Sequence, residues 1–110
     1  KARRSFNNIA KTDNGQIVFL KNLTSGSLFS ELDGMIAIPA HNQVTIHNLE
    51  TGLALHIQGN RAPYKFNFFA APLSVCPEPY ILVKVESGQT FDWQNVYTLQ
   101  IASAVSLEEQ

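Results

Sequence analysis

The chain has 110 residues, of which 45% are hydrophobic and 15% are charged, the balance expected for one folded domain. Its formal net charge of -1 provides no general electrostatic attraction to phosphate, so we expect no nucleic-acid partner. The apolar run at residues 80–83 is far shorter than the ~20 residues of a membrane-spanning helix, so we expect no membrane insertion.

The first residue and the cysteine content bear on what kind of chain this is. Cys76 is the single cysteine, so no intrachain disulfide can form and packing alone must hold the domain together. The chain begins at Lys1 rather than at Met. We therefore expect one domain over residues 1–110 that is a processed product or a piece of a longer protein.

Apolar residues alternate with polar ones along most of the chain, which predicts strands rather than helices. Residues 6–12 and 16–20 form a first predicted hairpin around Asn14-Gly15, because a type I′ turn needs positive φ at both central positions. Residues 27–32 and 35–38 form a second predicted hairpin around Asp33-Gly34.

The alternation also predicts a register for a third hairpin, between residues 43–49 and 53–58. With Thr51-Gly52 as a two-residue loop, Ile46 lies opposite Ile57 and His47 lies opposite His56. A shift by one residue would mix the apolar and polar faces, so we prefer the first register.

The second half of the chain begins with an aromatic strand at residues 64–68, which we expect to be central. Three prolines between residues 71 and 79 exclude a long helix and favour an ordered connection. Residues 81–85 and 97–101 are predicted strands, and a capping box at residues 106–110 is a possible helix start.

Eight or nine short strands are too many to bury one face each in a single open sheet of this size. We therefore predict an all-β fold, an antiparallel β-sandwich of about eight strands. A small closed or jelly-roll barrel is the alternative.

Histidines form the densest set of metal-capable side chains. In the predicted register, Cβ atoms of His47 and His56 are about 4.5 to 5.5 Å apart on the outward face, and His41 is a possible third ligand. These residues are a candidate site for a divalent transition metal. The alternative, which we favour, is that they are ordinary polar residues on a solvated face and that the protein has no cofactor.

Two further groups of reactive or charged residues have simpler interpretations. Cys76 has no basic neighbour in the sequence that would activate a thiolate, so we interpret it as a structural thiol. Lys1, Arg3 and Arg4 form a short basic arm that we expect to be solvated.

Aromatic residues outside the clearest core positions indicate a binding surface. If Tyr80, Phe91 and Trp93 project together, they can anchor a protein interface or stack on a sugar ring. The alternative is that Phe91 and Trp93 fill the open end of the sandwich.

The function predicted from these features is a non-enzymatic binding or structural module of a larger assembly. It would recognise a protein partner, or a second copy of itself, through a sheet edge or an aromatic patch. Two alternatives stay open: a carbohydrate-binding module that uses Trp93 and Tyr80, and a small metal-dependent barrel enzyme that uses His47 and His56.

Overall fold

The computed structural model describes residues 1–101, and within them the secondary structure is eight strands and one short 3-10 turn. The all-β prediction of about eight antiparallel strands is confirmed. The predicted helix start at 106–110 lies outside the described residues. The strands are β1 (Ala10–Asp13), β2 (Gln16–Phe19), β3 (Leu28–Glu31), β4 (Gln43–Asn48), β5 (Leu53–Gly59), β6 (Lys65–Ala71), β7 (Ser74–Tyr80) and β8 (Asn95–Ile101), and the 3-10 turn is Pro39–His41.

The strands form three antiparallel sheets with the orders β1-β2, β3-β6-β7 and β4-β5-β8. The arrangement is sandwich-like. Over residues 1–101 the sheets stay separate, so the barrel alternative is wrong.

The β1-β2 hairpin forms as predicted, with positive φ at both Asn14 and Gly15. Its first strand begins at Ala10 rather than at residue 6. Asn7 and Asn8 both have positive φ, and this left-handed backbone interrupts an extended strand.

The predicted pairing of residues 27–32 with residues 35–38 is wrong. β3 pairs with β6 instead, and residues 35–38 form no strand. Gly34 and Ala37 have positive φ, so the backbone turns away after Asp33. The amide of Ala37 donates to the Pro63 carbonyl, which fixes the segment outside the sheet.

The β4-β5 hairpin forms, but its predicted register is wrong by two residues. Ile46 lies opposite Leu55, Thr45 opposite His56 and His47 opposite Ala54. The loop has four residues because Oδ1 of Asn48 accepts the amides of Glu50 and Thr51 at 3.0 and 3.2 Å.

β6 is the central strand of its sheet, as predicted, and its partner β7 contains the prolines. The prediction that this stretch is only a connection is therefore wrong. Pro77 and Pro79 lie opposite Phe68 and Phe66 of β6. The Leu32 amide donates to the Phe66 carbonyl, so the backbone N–H and C=O groups of Phe66 and Phe68 point toward β3 and away from β7. Both proline nitrogens thus face the outer edge, where the missing N–H disrupts no ladder bond.

The predicted strand at residues 81–85 is also wrong, because residues 81–94 are irregular and β8 starts at Asn95. The apolar residues at 81, 83 and 85 occupy alternate positions, as in a strand. They come directly after β7, whose outer edge cannot pair fully with another strand because Pro77 and Pro79 lack outward N–H groups. Alternation specifies which face a side chain occupies and leaves its pairing partner undetermined.

The core lies between the β1-β2 hairpin and one face of the β3-β6-β7 sheet. The Phe6 and Phe68 rings meet edge to face at 5.8 Å, and the Phe19 ring lies 6.4 Å from that of Phe68. The buried members of this cluster are Phe6, Ala10, Leu28, Phe68 and Ala70. The hydrophobic core thus holds two of the three sheets together.

Candidate functional site: an open apolar sheet face

The β4-β5-β8 sheet has one face made almost entirely of apolar side chains. Cross-strand rows run Val44–Ile57–Tyr97 and Ile46–Leu55–Leu99, and a third row runs Asn48–Leu53–Ile101. We call the apolar members of these rows the apolar face: Val44, Ile46, Leu53, Leu55, Ile57, Tyr97, Leu99 and Ile101.

None of these side chains is buried by the described part of the chain. Exposure is greatest on β8, where Tyr97, Leu99 and Ile101 are 63%, 68% and 61% exposed. A contiguous apolar patch of this kind is a candidate binding surface.

The opposite face of the same sheet is mostly polar, with Ala54 and Val96 as its apolar members. Its rows are Gln43–Gln58–Val96, Thr45–His56–Thr98 and His47–Ala54–Gln100. This sheet therefore has the hydrophobic-in, polar-out pattern of a sandwich layer, with the apolar side uncovered within residues 1–101.

The backbone of β8 adds a second feature, because β8 lies at the edge of the sheet. The amide of Asn60 donates to the Gln94 carbonyl, so even-numbered residues of β8 point toward β5. The N–H and C=O groups of Asn95, Tyr97, Leu99 and Ile101 therefore point outward. No strand within residues 1–101 pairs with this edge.

The edge also lacks the features that usually discourage strand pairing. β8 reads NVYTLQI, with no proline and no charged residue over seven positions. Charges, prolines and bulges are how protein sheets protect such edges. Neither a proline nor a charged side chain within β8 therefore protects its outer edge.

The histidines do not form the predicted opposed pair. His56 Nδ1 lies 2.7 Å from Thr45 Oγ1, its cross-strand neighbour, whereas His47 lies opposite Ala54. The His41 ring is hydrogen-bonded to the Ile36 carbonyl. Within residues 1–101, no three His, Cys, Asp or Glu side chains cluster as metal ligands would.

Of the three aromatic residues predicted to act together, the structure brings two into contact. The Phe91 and Trp93 rings are 6.2 Å apart, and Trp93 is 54% exposed. Tyr80 lies in another cluster, edge to face with Tyr64 at 6.3 Å and with the Lys65 ammonium 5.5 Å from its ring.

A junction of polar groups surrounds the Phe91–Trp93 pair. The Arg61 guanidinium stacks at 4.5 Å on the Phe91 ring and donates twice to the Asp92 carbonyl, at 2.9 and 2.6 Å. The Gln94 amide donates to Asn60 Oδ1 at 2.8 Å.

Beside Trp93 lies a shallow cavity of about 60 Å³, also lined by Asn42, Asn95, Pro79 and Ile81. The Asn42 amide nitrogen donates to the Arg61 carbonyl at 2.9 Å. The junction's hydrogen bonds tie the irregular segment after β7 to the loop after β5.

The Arg3 side chain of the N-terminal arm is 56% exposed, as expected for a solvated arm, and it also forms ion pairs within the chain. Its guanidinium donates to Asp33 at 2.6 Å and pairs with Glu31. The hydrogen bond to Asp33, with Coulomb attraction to Asp33 and Glu31, raises the pKa of Arg3. Cys76 is half-buried on β7 opposite Phe69.

The apolar face was not recognised from the sequence alone. The signal was present, since the apolar positions of β4, β5 and β8 each follow a period of two. To assign these positions to one surface, one must know that β8 pairs with the second edge of β5. The two strands are separated by 35 residues in the chain, so the sequence does not indicate this pairing.

No family model, curated protein or solved structure matches this chain. Residues 1–101 contain no helix of the length and apolarity needed to cross a membrane.

Proposed function

We propose that this protein is a non-enzymatic structural module of a larger protein assembly, and that it binds its protein partner through the apolar face and the β8 edge. The observation that supports the proposal is the exposure of Tyr97, Leu99 and Ile101 on one face of an unprotected edge strand.

The two alternatives draw on fewer observations. Carbohydrate binding would depend on Trp93 without Tyr80, whose hydroxyl lies 3.4 Å from the Asn67 amide nitrogen in the other cluster. The metal-dependent alternative loses the direct His47–His56 pairing on which it depended.

A dye that fluoresces on apolar surfaces tests the proposed binding face. We expect the folded chain to bind anilinonaphthalene sulfonate while unfolding cooperatively, and we expect Leu99→Lys to weaken that binding because it places a charge at the centre of the apolar face. Gln58→Lys is the matched control, since it adds the same charge to the polar face of the same sheet.

Two results of the dye-binding measurement would contradict the proposal. Background fluorescence from the wild-type chain, at concentrations where it is cooperatively folded, would show that the apolar face is not accessible and would refute the proposal. Equal loss of dye binding in Leu99→Lys and Gln58→Lys would also contradict it.

A further inference from the structure

We infer that the molecule that pairs with the β8 edge is a second copy of this chain. Two β8 strands would join antiparallel about a two-fold axis, giving one continuous sheet with three strands from each copy. This inference rests on the proposed function, because it names the partner at the β8 edge.

The backbone geometry of β8 suits pairing with itself. A two-fold axis perpendicular to the sheet places the same residue of both copies on the same face, and opposed residues of an antiparallel pair also share a face. Odd-numbered residues of one copy therefore lie opposite odd-numbered residues of the other. The outward N–H and C=O groups all belong to odd-numbered residues, so each meets a group that can complete a ladder bond. With the axis beside Thr98, Tyr97 lies opposite Leu99 of the second copy.

The side chains match in the same arrangement. Tyr97, Leu99 and Ile101 are all odd-numbered members of the apolar face. Pairing about the axis therefore makes the apolar faces of both copies continuous, and it places an aromatic ring beside an aliphatic side chain, a favourable cross-strand pair.

Charge also permits a second copy. β8 carries no charged side chain, and the whole chain has a net charge of only -1, so two copies approach without strong repulsion. The pairing uses the outer edge of β8 in both copies, so β8 itself can pair with no third strand.

Analytical ultracentrifugation over a concentration series tests this inference. We expect the wild-type chain to approach twice 12.2 kDa as concentration rises. Leu99→Pro removes one outward N–H and no bond to β5, so we expect it to sediment as a monomer at every concentration. Val75→Pro is the matched control, because its N–H faces the outer edge of β7, and we expect its dimerisation to match that of the wild type.

Hydrogen exchange on the wild-type chain provides a test that needs no variant, should Leu99→Pro fail to fold. We expect the amides of Tyr97 and Leu99 to be protected at high concentration and to exchange rapidly on dilution. The amide of Val75 should exchange equally at both concentrations.

The outcomes separate this inference from the proposed function. A wild-type chain that stays at 12.2 kDa, or a folded Leu99→Pro variant that still dimerises, overturns the second copy as partner. Edge pairing leaves the apolar face uncovered, so dye binding by such a chain would still support a different protein partner. Loss of dye binding as well would overturn both.

Discussion

The β3-β6-β7 and β4-β5-β8 sheets are both three-stranded and antiparallel, and each has a seven-residue central strand. In the first sheet, Phe66 and Phe68 are buried, and the β1-β2 hairpin packs on Phe68. In the second sheet, residues 1–101 do not bury the apolar face. The same alternating chemistry thus gives a closed core in one sheet and a face that the described residues leave exposed in the other.

The edge strands β7 and β8 of the two sheets also differ, because β7 is protected against pairing and β8 is not. Pro77 and Pro79 deprive β7 of two outward donors, and Glu78 places a charge between them. β8 has neither prolines nor charges. Because an unprotected edge favours pairing with another strand, the β8 edge is available for pairing, whereas the β7 edge is protected against it.

The largest effect is expected where the closed sheet loses a core ring. Phe68→Ala should lower the free energy of unfolding by about 3–5 kcal/mol, because it leaves a cavity between the sheet and the hairpin. Leu99→Ala, measured at a dilution where the chain is monomeric, should change it by less than about 0.5 kcal/mol. Urea denaturation measures both, and similar losses would contradict the contrast between the sheets.

A smaller effect is expected at the turn that sets the register of the open sheet. Asn48→Ala removes the acceptor of the Glu50 and Thr51 amides and should cost about 0.5–1.5 kcal/mol in thermal or urea unfolding. Asn48→Asp keeps an oxygen at that position and should retain most of the stability. If Asp were as destabilising as Ala, the side-chain bonds would not explain the four-residue loop.

A small effect on stability is expected at the protected β7 edge. Replacing Pro77 and Pro79 together by valine should change the free energy of unfolding by only about 1 kcal/mol or less. The double variant restores two outward donors, so sedimentation should reveal association beyond that of the wild type. Pro72→Ala, in the β6-β7 turn, serves as the control; unchanged association in the double variant would mean that prolines do not protect β7.

Local chemistry made several elements predictable from the sequence. Asn14-Gly15 specified the first hairpin, since few other residue pairs accept positive φ at both positions. The aromatic alternation at Phe66 and Phe68 identified the central strand. In both places the information lies within a few neighbouring residues.

Features that depend on distant partners were less accessible. A two-residue shift of the β4-β5 pairing keeps every side chain on the same face of the sheet, whereas a one-residue shift does not. Alternation therefore excludes a one-residue shift but not a two-residue shift, and His47 pairs with Ala54 instead of the predicted His56. Prolines usually interrupt strands, but Pro77 and Pro79 lie at alternate positions of β7 whose nitrogens face outward, and the sequence does not reveal that orientation.

The candidate site was predictable only in part, for the same reason. Contact between Phe91 and Trp93 follows from their proximity in sequence, and the structure brings them together. Pro79 and Ile81 line the cavity beside Trp93, whereas Tyr80, which lies between them, interacts with Tyr64. The apolar face combines side chains of β4, β5 and β8. It could not be predicted from the sequence, because β8 is far from β4 and β5 along the chain.

The junction at the end of β5 has a consequence for which substitutions this chain can accept. A methyl group at Gly59 would come within 3.0 Å of the Asn42 side chain and also of the Asn95 carboxamide oxygen, so alanine would force both amides to move. Asn95 is exposed and can shift at little cost, whereas Asn42 is buried and donates to the Arg61 carbonyl. Tolerance of a side chain at position 59 therefore depends on whether Asn42 can give up that hydrogen bond.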